Sequence, residues 1–248
     1  MIEFQQLTRT YGDFTAVHPL TLTVDRGEVF GFLGPNGAGK TTTIRMMMGI
    51  LVPSGGRALI SGLDCHTQRA EVQRHVGYLP DNPVYYDFLR GREILRFVAE
   101  MHGMPRADAE RRAVEMLAEF GLTEAVDEFA VNYSMGMKKK LGLACALVHD
   151  PEVLILDEPI NGLDPRAARD VQDRLRLAAA AGKTIFMSTH LLDMAEKVCT
   201  RVGIIHKGDL VATGTMDELR ARTHQNASLE EVFLAVTDEE AALATAPR

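Results

Sequence analysis

Apolar and polar positions along the chain follow two periods that take turns. Short runs rich in β-branched and aromatic residues predict strands at 2–8, 20–24, 28–33, 57–60, 76–79, 153–156 and 184–187. Two further runs, 202–206 and 210–213, flank Lys207-Gly208-Asp209, a hairpin turn. The run Val153-Leu154-Ile155-Leu156 is apolar on both faces, as a central parallel strand should be. From about residue 91 to 150 the period changes to helical, with joints at Gly103, Pro105 and Gly121. Within it Ala113, Val114, Leu117 and Phe120 are expected to share one buried helix face.

Helix signals sharpen the later boundaries. Asp164-Pro165 predicts an N-cap followed by proline in the first turn, with the helix ending at Gly182. Ser228 and Glu231 fit a capping box ahead of an apolar helix over about 228–236. The small, acidic segment 238–248 is expected to be a loose tail. The pattern as a whole is a strand-rich α/β core, 1–90 and 151–225, holding a helical insert at about 91–150 within one domain, 1–237.

Composition narrows the class without choosing the chemistry. The 248 residues are 46% apolar and 25% charged, which is globular composition and excludes wholesale disorder. A net charge of −7 disfavours a nucleic-acid partner. Three scattered cysteines give neither a disulfide framework nor a zinc pattern. No signal peptide opens the sequence, and no apolar run approaches the ~20 residues that span a bilayer. The chain is therefore expected to be soluble and intracellular.

The chemistry enters at Gly34-Pro35-Asn36-Gly37-Ala38-Gly39-Lys40-Thr41, which fits G-x-x-x-x-G-K-[ST] between a predicted strand and a predicted helix. Glycines there let successive N–H groups point at phosphate oxygens, and the helix end adds to the field. Lys40 is placed to reach the β- and γ-phosphates, Thr41 to bind Mg²⁺ and Thr42 to add a phosphate contact. Met46-Met47-Met48, on the same helix, is expected to pack against the sheet. Asp157 and Glu158 end the buried apolar strand, where ligands of parallel sheets bind. Asp157 suits Mg²⁺ and Glu158 suits a general base acting on water. His190, after another predicted strand, is a candidate for sensing the γ-phosphate.

Together these elements resemble the nucleotide-binding subunits of ATP-binding cassette (ABC) transporters. Asn132-Tyr133-Ser134-Met135-Gly136-Met137-Lys138-Lys139-Lys140-Leu141 is similar to the family's signature segment, and Asn161-Gly162-Leu163-Asp164 to its D-loop. The resemblance implies a phosphate-loop NTPase fold with a mostly parallel central sheet, antiparallel N-terminal strands and an inserted helical subdomain. It assigns Tyr11 to stacking on adenine, Ser134, Gly136 and Asp164 to nucleotide, and His190 to the switch position. It implies ATP and Mg²⁺ as cofactors and a dimer of cassettes, with a homodimer permitted. The partner it implies is a separate integral-membrane permease, most like the two-component exporters. The chain would then sit on the cytoplasmic face of the membrane. The alternative is an ABC ATPase used without transport, on ribosomes or nucleic acid. A third reading, a phosphate-loop kinase, is opposed by the signature and D-loop.

Three departures from the family pattern stand out. Met135 replaces a glycine, and its side chain either crowds the nucleotide or points away. Met137 stands in place of a glutamine. Asp81 fills the place of another glutamine, and its carboxylate is expected to face Mg²⁺. The basic run 138–140 is expected to be a solvated face, the alternative being attraction to nucleotide phosphate or to an acidic partner surface. Tyr85, Tyr86 and Phe88 suit either core packing or docking of a short helix from a membrane subunit.

Overall fold

A computed structural model describes residues 1–221 and 228–245, with side chains through Thr237. They form two units, one of Met1–Val72 with the described residues from Thr184 onward, the other Gln73–Lys183. This division differs from the expected core and insert, because two strands and a long helix join the helical segment. The stretch expected to close the core, 222–225, lies outside the described residues.

In the first unit, β1 (Ile2–Tyr11) pairs antiparallel with β2 (Phe14–Val24) and β4 (Gly55–Ile60), and β4 with β5 (Leu63–Asp64). A second layer holds β3 (Val29–Leu33) between β8 (Thr184–Thr189) and β9 (Arg201–His206), both parallel to it. The strand β10 (Asp209–Gly214) returns antiparallel to β9 through a turn with positive φ at Lys207 and Gly208. Every residue of β3 is buried, which is why its sequence does not alternate. Phe186 of β8 ties the layers together, its ring 5.9 Å from Phe4, 5.6 Å from Phe30 and 5.4 Å from Phe32. Each such buried ring contributes about 1.5–3 kcal/mol of transfer free energy.

The helices α1 (Lys40–Met47), α7 (Leu192–Val198), α8 (Met216–Ala221) and α9 (Leu229–Thr245) complete this unit, with α2 (Arg69–His75) leading out of it. Met46, Met47 and Met48 are buried, as packing requires. The capping box forms: Glu231 N–H donates to Ser228 Oγ at 3.2 Å and Ser228 N–H to Glu231 Oε2 at 2.7 Å. The helix α9 runs on to Thr245, well past the expected end near 236, because the Asp-Glu-Glu-Ala-Ala-Leu-Ala segment is rich in strong helix formers. The last three residues of the expected tail lie outside the described residues.

The second unit pairs β6 (Val76–Leu79) in parallel with β7 (Val153–Asp157). Around them lie α3 (Gly91–Met101), α4 (Arg106–Glu119), α5 (Met135–Leu147) and α6 (Pro165–Ala180). Gly77 is obligatory on β6, since a Cβ there would stand 1.9 Å from the Ala146 carbonyl oxygen of α5. Asp164 caps α6, its Oδ1 accepting from the N–H groups of Arg166 and Ala167, both at 3.0 Å. One sequence expectation fails on α4: Val114 is exposed, and the buried stripe is Ala109, Ala113, Met116 and Leu117. Ala113, Leu117 and Phe120, spaced i, i+4 and i+7, are buried as expected, and Met116 takes the place assigned to Val114. No helix among the described residues is long and apolar enough to cross a membrane.

Two histidines of this unit stack. The His102 and His149 rings lie 3.5 Å apart at 5°, and His149 Nε2–H donates to the Val76 carbonyl at 3.2 Å. Burial, then the neighbouring His102, pulls His149 down from 6.5 to about 4. The folded protein thus keeps this ring neutral where the unfolded chain would protonate it. Its contribution is complete above about pH 6.5 and is lost as pH falls toward 4. After discount for partial exposure the loss is on the order of 1–2 kcal/mol. Thermal melts from pH 7 to 4.5 should show a steeper decline for the native sequence than for His149→Gln; parallel declines would clear the pair of any part in acid sensitivity.

Candidate active site

The residues singled out by sequence fall into two groups, one on each unit. On the first unit, β3 delivers the chain into the loop Gly34–Thr42 and α1. Gly34 admits no side chain, because a Cβ would stand 2.4 Å from the Ile205 carbonyl oxygen. Gly39, at φ +110°, would place a Cβ 2.7 Å from the Ala16 oxygen. The two glycines therefore let the loop pack against β2 and β9 while its remaining edge stays clear. Gly34 N–H donates to the Thr189 carbonyl at 3.4 Å, and Gly208 N–H to the Ala38 carbonyl at 3.1 Å. Ala38 N–H turns back on the Pro35 carbonyl at 3.2 Å, while Asn36 and Gly37 form the exposed crest.

Lys40 is buried to 5% exposure, and its ammonium donates to the carbonyls of Gly34 at 2.6 Å and Pro35 at 3.1 Å. A cation is thus held across the mouth of a backbone cradle. Thr43, which sequence reading passed over, donates its hydroxyl to the Gly39 carbonyl at 3.0 Å and fixes the loop-to-helix joint. Thr41 and Thr42 are half-buried in the first turn of α1. Gly39 is the N-cap and supplies no side-chain oxygen, so the first-turn N–H groups are donors for an anion. Glycines that a Cβ would block, an ammonium and helix N–H groups fit a nucleotide's phosphates.

The same unit carries His190, half-buried directly after β8, whose last residue, Thr189, pairs with Leu33 at the loop's entrance. The Thr189 hydroxyl accepts from Leu191 N–H at 3.0 Å and shapes the turn that holds His190. Tyr11 ends β1 with its ring exposed and the Arg9 guanidinium 4.5 Å from the ring centroid.

On the second unit, β7 ends at Asp157, 1% exposed, followed by Glu158, 7% exposed. Glu158 adopts φ +49°, a left-handed conformation that costs a residue with a side chain about 1 kcal/mol. Its carbonyl accepts from Lys139 Nζ at 2.8 Å and from Asn161 N–H at 3.2 Å, which holds the turn. Asp81 follows β6, its Oδ1 accepting from Lys139 Nζ at 3.4 Å and its Oδ2 from Asn82 Nδ2 at 3.2 Å. Lys139 is 4% exposed. Burial draws its ammonium down, and the carboxylates of Asp81, Asp157 and Glu158 draw it back up.

The expected solvated face at 138–140 is therefore not one. Lys139 is buried, Lys140 pairs with Asp170 at 2.7 Å, and the Lys138 carbonyl accepts from the Tyr85 hydroxyl at 2.8 Å. The missed signal is helical spacing: Lys139 shares its face with the buried Gly142, Leu143 and Ala146. The aromatic stretch divides, with Tyr85 packed inward and Tyr86 and Phe88 exposed.

Ser134 caps α5 by accepting from Met137 N–H at 3.3 Å, and Gly136 lies in the first turn. A Cβ on Gly136 would meet nothing closer than Ala167 Cβ at 3.7 Å, so packing within the chain does not demand glycine there. Met135 is 60% exposed and lays its sulfur along Gly162, 2.8 Å from where a Cβ would stand. The side chain thus lies against the loop 161–164. Asp164 reaches the helix it caps, and these backbone bonds hold its carboxyl below the ordinary value. The three cysteines are free thiols; burial pushes Cys65 and Cys145 up to about 12 and raises Cys199 as well, which disfavours the thiolate at all three.

Comparison with known proteins meets this geometry. The family described as ABC transporter matches residues 17–161. A probable multidrug ABC transporter ATP-binding protein of Escherichia coli is 37% identical over 94% of this chain and 41% of its own. The chain thus spans about two-fifths of that relative's length. The bacitracin transport ATP-binding protein of Bacillus licheniformis is 38% identical over 91% of this chain and 73% of its own. A solved ATP binding subunit of an ABC transporter superposes with a TM-score of 0.89 at 36% identity, covering 96% of this chain and 99% of that one. The family match spans the loop that cradles Lys40, the capped start of α5 and the strand that ends at Asp157: this chain belongs to the ABC transporter family.

Proposed function

We propose that the chain is an ATP-hydrolysing motor of an exporter, binding Mg-ATP between two copies and driving a separate integral-membrane permease from the cytoplasmic face. The observation that carries this reading is the Lys40 cradle, whose glycines and helix N–H groups suit a triphosphate. Gly34 to Thr42 bind the phosphates and Tyr11 offers its ring to adenine. Ser134 and Gly136, at the start of α5, offer a second anion site to the nucleotide held by the other copy. Asp164 supports that surface by capping α6.

Mg²⁺ sites use one or two protein oxygens together with phosphates and water rather than an all-protein cage. The Thr41 hydroxyl and the buried Asp157 carboxylate are hard donors of that kind, with Asp81 the further candidate of the sequence reading. When bound, the ion would neutralise charge on the β- and γ-phosphates. Glu158 accepts a proton from the attacking water, and His190 orients the γ-phosphate through its ring N–H. The names of the multidrug and bacitracin relatives support export. The net charge of −7 still speaks against nucleic acid as a partner.

Two measurements test this reading. Purification from the native membrane after cross-linking should bring down an integral-membrane protein; ribosomes in its place would favour the non-transport alternative. His190→Ala should keep ATP binding within about threefold and lower turnover by about 10²-fold, as general acid–base and orienting contacts typically do. Steady-state phosphate release measures it, and unchanged turnover would remove His190 from the site.

A further inference from the structure

We propose that Lys139 is a positioning residue for Glu158, with Asp81 as its counter-ion, an inference that rests on the ATPase reading above. The geometry begins with burial. Lys139 stands in the second turn of α5 at 4% exposure, and an ammonium is tolerated there only where hydrogen bonds and opposite charge replace water. Both replacements are present. Its Nζ donates to the Glu158 carbonyl at 2.8 Å and faces Asp81 Oδ1 at 3.4 Å.

The bond to Glu158 falls where the chain needs support. Glu158 is one of five non-glycine residues with positive φ among the described residues, and the only carboxylate assigned here to proton transfer. The left-handed turn aims its side chain, and the two donors on its carbonyl, Lys139 Nζ and Asn161 N–H, hold that turn. Neither bond uses the carboxylate. Lys139 therefore braces the backbone at Glu158, and its charge also faces the Glu158 carboxylate.

Asp81 has a part within the chain beside the Mg²⁺ role its sequence position suggests. Its two oxygens accept from Lys139 and Asn82, so within this chain it balances the buried ammonium. The strand ends of β6 and β7 are thereby clamped to α5, the helix whose first turn carries Ser134 and Gly136. Both neighbours of Lys139 in sequence are engaged elsewhere, Lys140 with Asp170 and Lys138 through its carbonyl with Tyr85.

Lys139→Met, Lys139→Gln and the native chain are compared in two assays. Steady-state ATP hydrolysis should show kcat lowered at least tenfold by Lys139→Met with KM for ATP held within threefold. Hydrogen exchange of the backbone amides across 158–163 should quicken at least tenfold in the same variant. The Lys139→Gln amide can still donate to the Glu158 carbonyl, and it should restore both readings to within threefold of native. Should Lys139→Met fail to fold because Asp81 loses its counter-ion, adding Asp81→Asn removes that charge, and the same quickened exchange is expected. Unchanged exchange in 158–163 overturns the positioning role whatever the turnover; so does a Lys139→Met enzyme with kcat within twofold of native. A native protein that hydrolyses no ATP, yet whose Lys139→Met variant exchanges faster in 158–163, would refute the ATPase reading and leave the positioning role standing.

Discussion

Glu158→Gln is expected to bind Mg-ATP with nearly native affinity, to lower turnover by about 10²–10⁴-fold, and to accumulate as a dimer. The change is close to isosteric, and it removes the ability to accept a proton while keeping the side chain's size. The left-handed turn at Glu158 is held through its carbonyl, by Lys139 and Asn161, so the substitution leaves those bonds in place. Burial of the residue sharpens the effect, because bulk water has little access with which to replace the lost base. If ATP is the adhesive between two copies, stopping hydrolysis removes the step that separates them. Gel filtration with and without Mg-ATP, beside a phosphate-release assay, checks both halves of the expectation. A variant that stops turning over yet elutes as a monomer with saturating Mg-ATP would sink the two-copy site while sparing the role of Glu158 as base.

Much of this arrangement was legible in the sequence, for reasons that differ from element to element. The strand β7 could be read because burial on both faces forces an unbroken apolar run, and its end therefore marked Asp157 and Glu158. The start of α6 could be read because only a few side chains can cap, and Asp164 followed by proline is one of the few sequences that does so. The first half of β2 could not be read. Its register with β1 slips between the Leu7–Leu20 and Arg9–Val17 pairs, and Pro19 falls inside that irregularity, where a strand can accept it. Ala16 and Val17 are then buried consecutively, which breaks the two-residue period. At the site, the left-handed Glu158 gives no signal in composition, because glycine is the residue that ordinarily marks such a backbone. Lys139 was hidden by its neighbours: three consecutive lysines suggest water, yet a helix turns each by about 100° and aims one of them inward. The division into units was hidden for a third reason. It rests on long-range contacts that local periodicity does not report, among them the close approach of β6 to α5 at Gly77, between segments about seventy residues apart.

Lys40→Ala is expected to weaken ATP binding about 10²–10³-fold with little change in the melting temperature. The ammonium is placed to make charge-assisted bonds to two phosphates, and each such bond contributes about 1.5–3 kcal/mol. In the structure it is already held by the Gly34 and Pro35 carbonyls, so binding costs it little conformational entropy, and that preorganisation is lost with it. Alanine is the best helix former, and α1 keeps its remaining anchors, the Thr43 bonds to the Gly39 carbonyl and the buried methionines. The loss should therefore be local to the phosphates. It should also be graded by them, larger for ATP than for ADP, because a lysine that reaches the γ-phosphate loses a partner when that group is gone. Calorimetric titration with each nucleotide gives the two ratios. Equal, small losses for ATP and ADP would place Lys40 outside the γ-phosphate's reach and would take the cradle out of the argument for a triphosphate.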